Sequence, residues 1–330
     1  MRSFRSRPKL YEVSVVPDQV YSYAAGKPRL ADLYLPKTPQ QKIPVVVWLH
    51  GGGWRFGDRH MAPDLSRFFA ERGFAMVSID YRLSDEAVFP APIEDVKTAI
   101  RWIRSVSDAF ELNSDQVGLW GSSAGGHLAA CAALSPREQF QGSEHLDFSG
   151  AVQAVVDGYG PVDFSLIDKE RDQFTPAAVA VEGVVVPDLL PAGHPESFES
   201  RFLGVPVQSS PEQVKRANPI AYVQRGAPPF LILHGLSDRL IPWPQSRLLF
   251  EALQVAENEV TMLTFERLGH GFFNNSKLDF VDPGTVTIFR SEASKAFDCG
   301  ARVDRIGFGF DLVEDFLRTH LIKSQHCQKP

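Results

Sequence analysis

The sequence predicts an α/β fold, with a mostly parallel central sheet, helices on both of its faces and one long insertion. Three observations carry this. Short runs of consecutive apolar residues, such as those at 45–49 and 74–79, alternate with segments whose apolar residues recur at helical spacing. Strands apolar on both faces belong between two helical layers, as in parallel sheets. The alternation stops between residues 160 and 228, a stretch rich in Pro and Gly, and then resumes.

Taken in order, residues 11–35 alternate in polarity (YEVSVV, LADLYLP), the period of half-buried and antiparallel strands. Residues 44–49 form a buried strand, 62–72 a helix and 74–79 a second buried strand. Pro92 opens a helix over 92–106, because its fixed φ and missing N–H suit a first helical turn. A third strand covers 116–120, followed by a helix to about residue 134. Strands at 151–156 and 230–233, a helix at 243–255, a strand at 259–265 and a closing helix at 308–321 complete the pattern. No repeat or linker is visible, so residues 1–330 read as a single domain. The insertion at 160–228 carries one apolar segment, 179–190, broken by Pro187. An insertion of that length is usually functional, and it is expected to form a lid or pocket wall ahead of the strand at 230–233.

Composition narrows the function. The chain has 330 residues, a net charge of −6, 44% hydrophobic and 22% charged residues, which excludes a disordered chain. The acidic balance argues against nucleic acid, whose phosphates demand clustered Lys and Arg, and against an anionic membrane surface. No apolar run approaches the roughly 18 residues of a membrane span. The N-terminus MRSFRSRPKLYEVSVV has no apolar core of a secretory signal. The three cysteines, Cys131, Cys299 and Cys327, form no CxxC pair. Together these predict a cytoplasmic setting, the alternative being secretion with a signal already removed. Nine scattered histidines without HxxxH or HExxH predict no metal site. Nothing speaks to the oligomeric state.

Two glycine-rich motifs carry the chemistry. Gly121-Ser122-Ser123-Ala124-Gly125 follows one apolar strand and opens an Ala-rich helix. Such a strand-to-helix turn is sharp enough to need flanking glycines, and it thrusts the central Ser123 outward at a helix N-terminus. His50-Gly51-Gly52-Gly53-Trp54 follows another strand, and its glycines let backbone N–H groups approach a developing oxyanion. A serine hydroxyl needs a base and an orienting acid. His270, between Gly269 and Gly271 and after the strand at 259–265, is the expected base. Asp238, in HGLSD after the strand at 230–233, is the expected acid, ahead of Asp157 and Asp163. His127 is expected to pack or hydrogen-bond one turn along the helix, and His234 to support Asp238. Arg82 is expected to pair with Asp95, and Trp54 to line the acyl or alcohol pocket.

The order Ser123, Asp238, His270 is that of the α/β-hydrolase fold. With HGGGWRFGD (50–58), SIDYRLS (78–84), GSSAGGHLA (121–129), LHGLSDRLIP (233–242) and GHGF (269–272), the chain resembles acetyl-esterase-type α/β-hydrolases. These are related to the hormone-sensitive lipases, and the closer resemblance is to the feruloyl-esterase-like branch. The resemblance implies an oxyanion hole formed by the N–H groups of Gly52, Gly53 and Ala124. Two departures favour the second branch. Ser122 stands where many hormone-sensitive-lipase relatives carry an acid, and the chain begins with strands rather than a helical cap. Residues 273–307 resemble nothing recognised.

The expected activity is hydrolysis of short acyl or aryl esters through an acyl-enzyme, with a small-molecule substrate and no cofactor. Acetyl or feruloyl esters of carbohydrate are implied by resemblance alone. The alternatives are an arylformamidase using the same machinery, a non-catalytic binding protein on this fold and a serine peptidase. Related peptidases carry a β-propeller of about 160 residues or more, for which the 43 residues before Pro44 leave no room.

Overall fold

A computed structural model describes residues 9–38, 42–174, 179–181, 184–186, 189–275, 277–291 and 309–322. Cys299, Cys327 and all of 292–308 lie outside the described residues. Among the described residues a nine-stranded sheet runs in the order β1-β2-β4-β3-β5-β6-β9-β10-β11. Its strands are β1 (Val13–Ala24), β2 (Lys27–Pro36), β3 (Ile43–Leu49), β4 (Ala75–Ile79), β5 (Leu112–Ser122), β6 (Ala154–Gly158), β9 (Phe230–Gly235), β10 (Val260–Phe265) and β11 (Val286–Arg290). The six central strands from β4 to β10 pair in parallel. The β1–β2 hairpin joins β4 antiparallel at one edge, and β11 joins β10 antiparallel at the other.

Period-two alternation divides the core. Val45, Val47 and Leu49 face one apolar cluster, packed under α2 (Ala91–Ser105), α3 (Ala124–Leu134) and α7 (Pro244–Val255). Val46 and Trp48 face a second cluster, covered by α1 (Leu65–Phe68) and α8 (Phe310–Leu321). The helices on the two faces therefore bury both sides of the central strands, apart from the first half of β5, as the apolar runs required. Between β6 and β9 stand α4 (Ile167–Phe174), a two-stranded ribbon of β7 (Val179–Val181) and β8 (Val184–Val186), α5 (Phe198–Leu203) and α6 (Pro211–Ala217).

The structure corrects three sequence boundaries and adds one strand. The helix expected over 62–72 is one turn of α-helix and one of 3₁₀-helix, because Asp64 caps only at Leu65 and Gly73 ends the segment left-handed at φ 100°. β5 begins at Leu112, earlier than expected, and β6 begins at Ala154, later than expected. β11 falls inside the stretch that resembled nothing. No helix among the described residues is long and apolar enough to cross a membrane.

Candidate active site

The parallel strands β5, β9 and β10 end on the same edge of the sheet, and the chemistry-bearing loops emerge there. β5 turns into α3 within one residue. Ser123 takes that turn at φ 55° and ψ −119°, a conformation costing about 1–3 kcal/mol for a non-glycine residue. Its neighbours hold it there. The Ser123 N–H donates to the Gly158 carbonyl at 2.8 Å, and its own carbonyl accepts the His127 N–H at 3.1 Å. A Cβ on Gly121 would lie 2.1 Å from the Gly125 carbonyl oxygen, and one on Gly125 would lie 2.1 Å from that of Leu49. Only glycine fits either position, so the turn is as tight as the sequence demanded. The Ser123 side chain does not cap α3. It points to His270.

His270 Nε2 and Ser123 Oγ are 2.9 Å apart, and His270 Nδ1 and Asp238 Oδ2 are 2.7 Å apart. An ionised carboxylate only accepts, so Nδ1 carries the hydrogen and Nε2 presents its lone pair to the serine hydroxyl. Asp238 is itself fixed: Oδ1 accepts the Leu240 and Ile241 N–H groups, both at 2.9 Å. His234 supports it from the other side, with Nε2 donating to the Ile241 carbonyl at 2.9 Å and standing 3.4 Å from Asp238 Oδ2. Burial alone would raise the Asp238 carboxyl. The charge and hydrogen bonds of His270 and His234 override it and hold the carboxyl well below the usual carboxylate range.

The rival acids are engaged elsewhere. Asp157 is fully buried and accepts the Gly160 N–H at 3.0 Å, and burial pushes its carboxyl up to about 6. Asp163 caps its own turn through Ser165. His127 packs and hydrogen-bonds, its Nε2 donating to the Ala217 carbonyl at 2.8 Å, and burial lowers it to about 4. Arg82 binds Asp95 at 2.7 Å.

The glycine loop after β3 turns at Gly52 (φ 101°) and Gly53 (φ 58°). The His50 ring stacks on Tyr81 at 4.2 Å, and the Tyr81 hydroxyl donates to the His50 carbonyl at 2.8 Å. Because Gly125 abuts the Leu49 and His50 carbonyls, this loop and the N-terminus of α3 at Ala124 are in direct contact.

Trp54 departs from expectation. Its side chain is not an open pocket wall but is 2% exposed, stacked on Phe202 at 4.5 Å and closed in by Phe164 and His127. The physical reason is that α5 and the segment before α4 fold over it.

Two residues escaped the sequence reading. Tyr159 is buried, edge-on to the His270 ring at 4.8 Å, with its hydroxyl 2.9 Å from Ser122 Oγ and accepting the Phe273 N–H at 3.3 Å. Its place just after β6 was the available signal. Phe198 of α5 lies against Gly53, where an added Cβ would meet its ring at 2.6 Å. No local pattern marks it. Among the described residues no group of three or more His, Cys, Asp or Glu could hold a metal ion.

Known proteins share this fold. Esterase LipC of Mycobacterium tuberculosis is 34% identical over 255 residues, 76% of this chain and 58% of that protein. Esterase LipQ of the same organism is 33% identical over 234 residues, 70% of this chain and 51% of that protein. The chain thus spans about half the length of the curated relatives it matches. Among solved structures, a truncated carbohydrate esterase from gut microbiota superposes with a TM-score of 0.68 at 27% identity, covering 83% of this chain and 96% of that one. The esterase Est2 of Thermogutta terrifontis with butyrate bound gives 0.61 at 26% identity, covering 80% and 86%. The BD-FAE family model matches residues 31–253, a span that holds the glycine loop, Ser123 and Asp238, and the chain, an α/β-hydrolase in fold, belongs to the BD-FAE family.

Proposed function

We propose that the chain is a serine carboxylic ester hydrolase. The observation that carries this is the continuous line of hydrogen bonds from Ser123 Oγ through His270 to Asp238, 2.9 and 2.7 Å long. In this reading His270 Nε2 takes the Ser123 proton as Oγ attacks the ester carbonyl, and Asp238 stabilises the imidazolium. The N–H groups of Gly52, Gly53 and Ala124 hold the oxyanion. His270 then returns the proton to the leaving alcohol. Water, activated by the same nitrogen, releases the acid from Ser123. These steps use only protein groups and water.

The small-molecule substrate is a short acyl or aryl ester. Phe198 against Gly53 and Phe56, with Phe56 in turn packed on the Leu240–Ile241 pair, makes the surroundings of the glycine loop apolar. Acetyl or feruloyl esters of carbohydrate fit this class, and the likeness to a carbohydrate esterase supports them. We read the chain as one domain in which residues 160–228 wall the pocket. Ser123→Ala is the test, with nitrophenyl acetate as substrate. Its kcat should fall to the residual about 10³–10⁴ over water that the oxyanion donors and binding leave. An active Ser123→Ala beside a dead Ser122→Ala would move the nucleophile by one residue.

A further inference from the structure

Away from Ser123, a cavity of about 200 Å³ opens between α2, the last turn of α3 and the loop at 135–151. Its lining includes Lys97, Arg101, Ser135, Arg137, Ser149 and Gly150, and no carboxylate. Lys97, Arg101 and Arg104, spaced four and three residues apart on α2, are all buried. None of them has a carboxylate within ion-pair distance among the described residues.

Their hydrogen bonds go to neutral carbonyls instead. The Lys97 ammonium donates to Ser135, Pro136 and Gln139 at 2.8–3.2 Å. Arg104 donates to Ser114, Ser149 and Ala151 at 2.6–2.9 Å. Arg101 donates through Nε to Glu144 and through Nη2 to Thr98 and Gln141. Carbonyl dipoles satisfy the donors but leave the charges unneutralised, and a buried charge without a counter-charge is costly. Burial and the mutual repulsion of these cations already lower the Lys97 ammonium to about 8.

Two further atoms point to what would neutralise them. Arg101 is only 2% exposed, yet among the described residues its Nη1 meets no acceptor, its bonds running through Nε and Nη2, and it lies 3.9 Å from the Cβ position of Gly150, on the cavity wall. Ser135 lines the same wall, and its buried Oγ has no hydrogen-bond partner among the described residues. A guanidinium nitrogen and a hydroxyl thus lack acceptors beside Arg137, in a chamber without an acid. Oxyanions are bound by this chemistry, and Arg is their preferred donor.

We propose that this cavity is a binding site for a phosphate group, either inorganic phosphate or the phosphoryl end of a small monoester. α3 has 11 residues, so the site lies on the order of 15 Å from Ser123 and is separate from the ester-cleaving centre.

The test is calorimetric titration of the full chain, at low ionic strength, with inorganic phosphate and with glycerol 2-phosphate. Ser135→Ala and Arg137→Gln are compared with the wild type, since neither removes a carbonyl contact of Lys97, Arg101 or Arg104. Saturable one-to-one binding should weaken about tenfold or more in Arg137→Gln, the loss of one charged hydrogen bond. Ester cleavage by Arg137→Gln should be unchanged. Tighter binding of phosphate assigns the site to the free anion, and tighter binding of the monoester to a phosphoryl metabolite. The proposal is overturned if neither binds saturably or if both variants bind as the wild type does. Phosphate acting only as a competitive inhibitor of ester cleavage, unaffected by the variants, overturns it too.

Discussion

Asp238→Asn removes a charge and leaves the shape, and the surroundings of Asp238 decide what the amide must do. Oδ1 receives the Leu240 and Ile241 N–H groups at 2.9 Å each. An asparagine keeps both bonds only by placing its own oxygen there, which turns its NH₂ toward His270 Nδ1. Two donors cannot share that 2.7 Å contact, so His270 must carry its hydrogen on Nε2 and offer Nδ1 as acceptor. Nε2 then donates where it should accept, and Ser123 loses its base. Flipping the amide instead would set its NH₂ against two backbone N–H groups, at the cost of two unmade buried hydrogen bonds. The same change in trypsin costs about 10⁴ in kcat, or about 5 kcal/mol in the barrier, and a loss of that order is expected here. Stability should fall as well. The folded Asp238 carboxyl is depressed, so its contribution is full above the unfolded carboxylate range and is lost only as pH falls through the folded value. At pH 7 the wild type therefore enjoys a stabilisation that the variant lacks. The assay is kcat for nitrophenyl acetate at a temperature where circular dichroism shows the variant folded. A loss below about tenfold, or an equal loss in Asp157→Asn, would refute this account of the site.

Asp157→Asn should show a pH-dependent stability difference instead. The folded carboxyl is raised to about 6 by burial, above its ordinary value of 3.8, so ionising it is penalised as pH climbs between these values. The advantage of wild type over variant should shrink by up to about 3 kcal/mol between pH 4 and 7, read from urea midpoints, and a constant difference would contradict the burial argument. Gly125→Ala should not yield folded protein at 37 °C, because its Cβ would lie 2.1 Å from a backbone carbonyl oxygen, whereas Gly26→Ala meets nothing within 4 Å, carries only the strain of a side chain at φ 76°, about 1 kcal/mol, and should fold. Expression with circular dichroism separates them. Tyr159→Phe removes the hydroxyl that joins Ser122 to the Phe273 N–H beside His270. Its kcat should drop about three- to tenfold with KM little changed, and a rise in KM at constant kcat would assign Tyr159 to substrate binding.

The sheet was legible where burial is symmetric. β3, β4 and β9 are buried at every position, so their apolar runs had no competing interpretation. β11 was not read, because it is an edge strand with only Val286 buried, and its sequence gives no continuous apolar run. The helix at 62–72 was overread because its apolar residues are real core residues, Leu65, Phe68 and Phe69, but sit on two short turns. The site was legible for a different reason. Each of its motifs follows a strand and needs glycine where backbone meets backbone, and such requirements are written locally. Phe198, Phe202 and Phe164 are not, since nothing near them in sequence says what they will cover.

That difference explains the misplacement of Trp54 and gives the insertion a second role. Trp54 follows Gly53 directly at φ 56°, so its ring orientation and the glycine backbone are set together. Phe202 stacks on the ring, His127 of α3 meets its edge at 5.1 Å, and Phe198 of the same short helix presses on Gly53. One helix of the insertion therefore packs on the glycine loop, and through Trp54 it also reaches the helix that begins at Ala124. In the proposed mechanism those are the two sources of oxyanion donors, so their relative position depends on α5. A pocket wall made of loops alone could vary freely with substrate, whereas this one is tied to the donors. Substitutions at Phe202 should thus slow even the smallest acetyl ester, while those at the partly exposed Phe198 change which acyl groups are accepted.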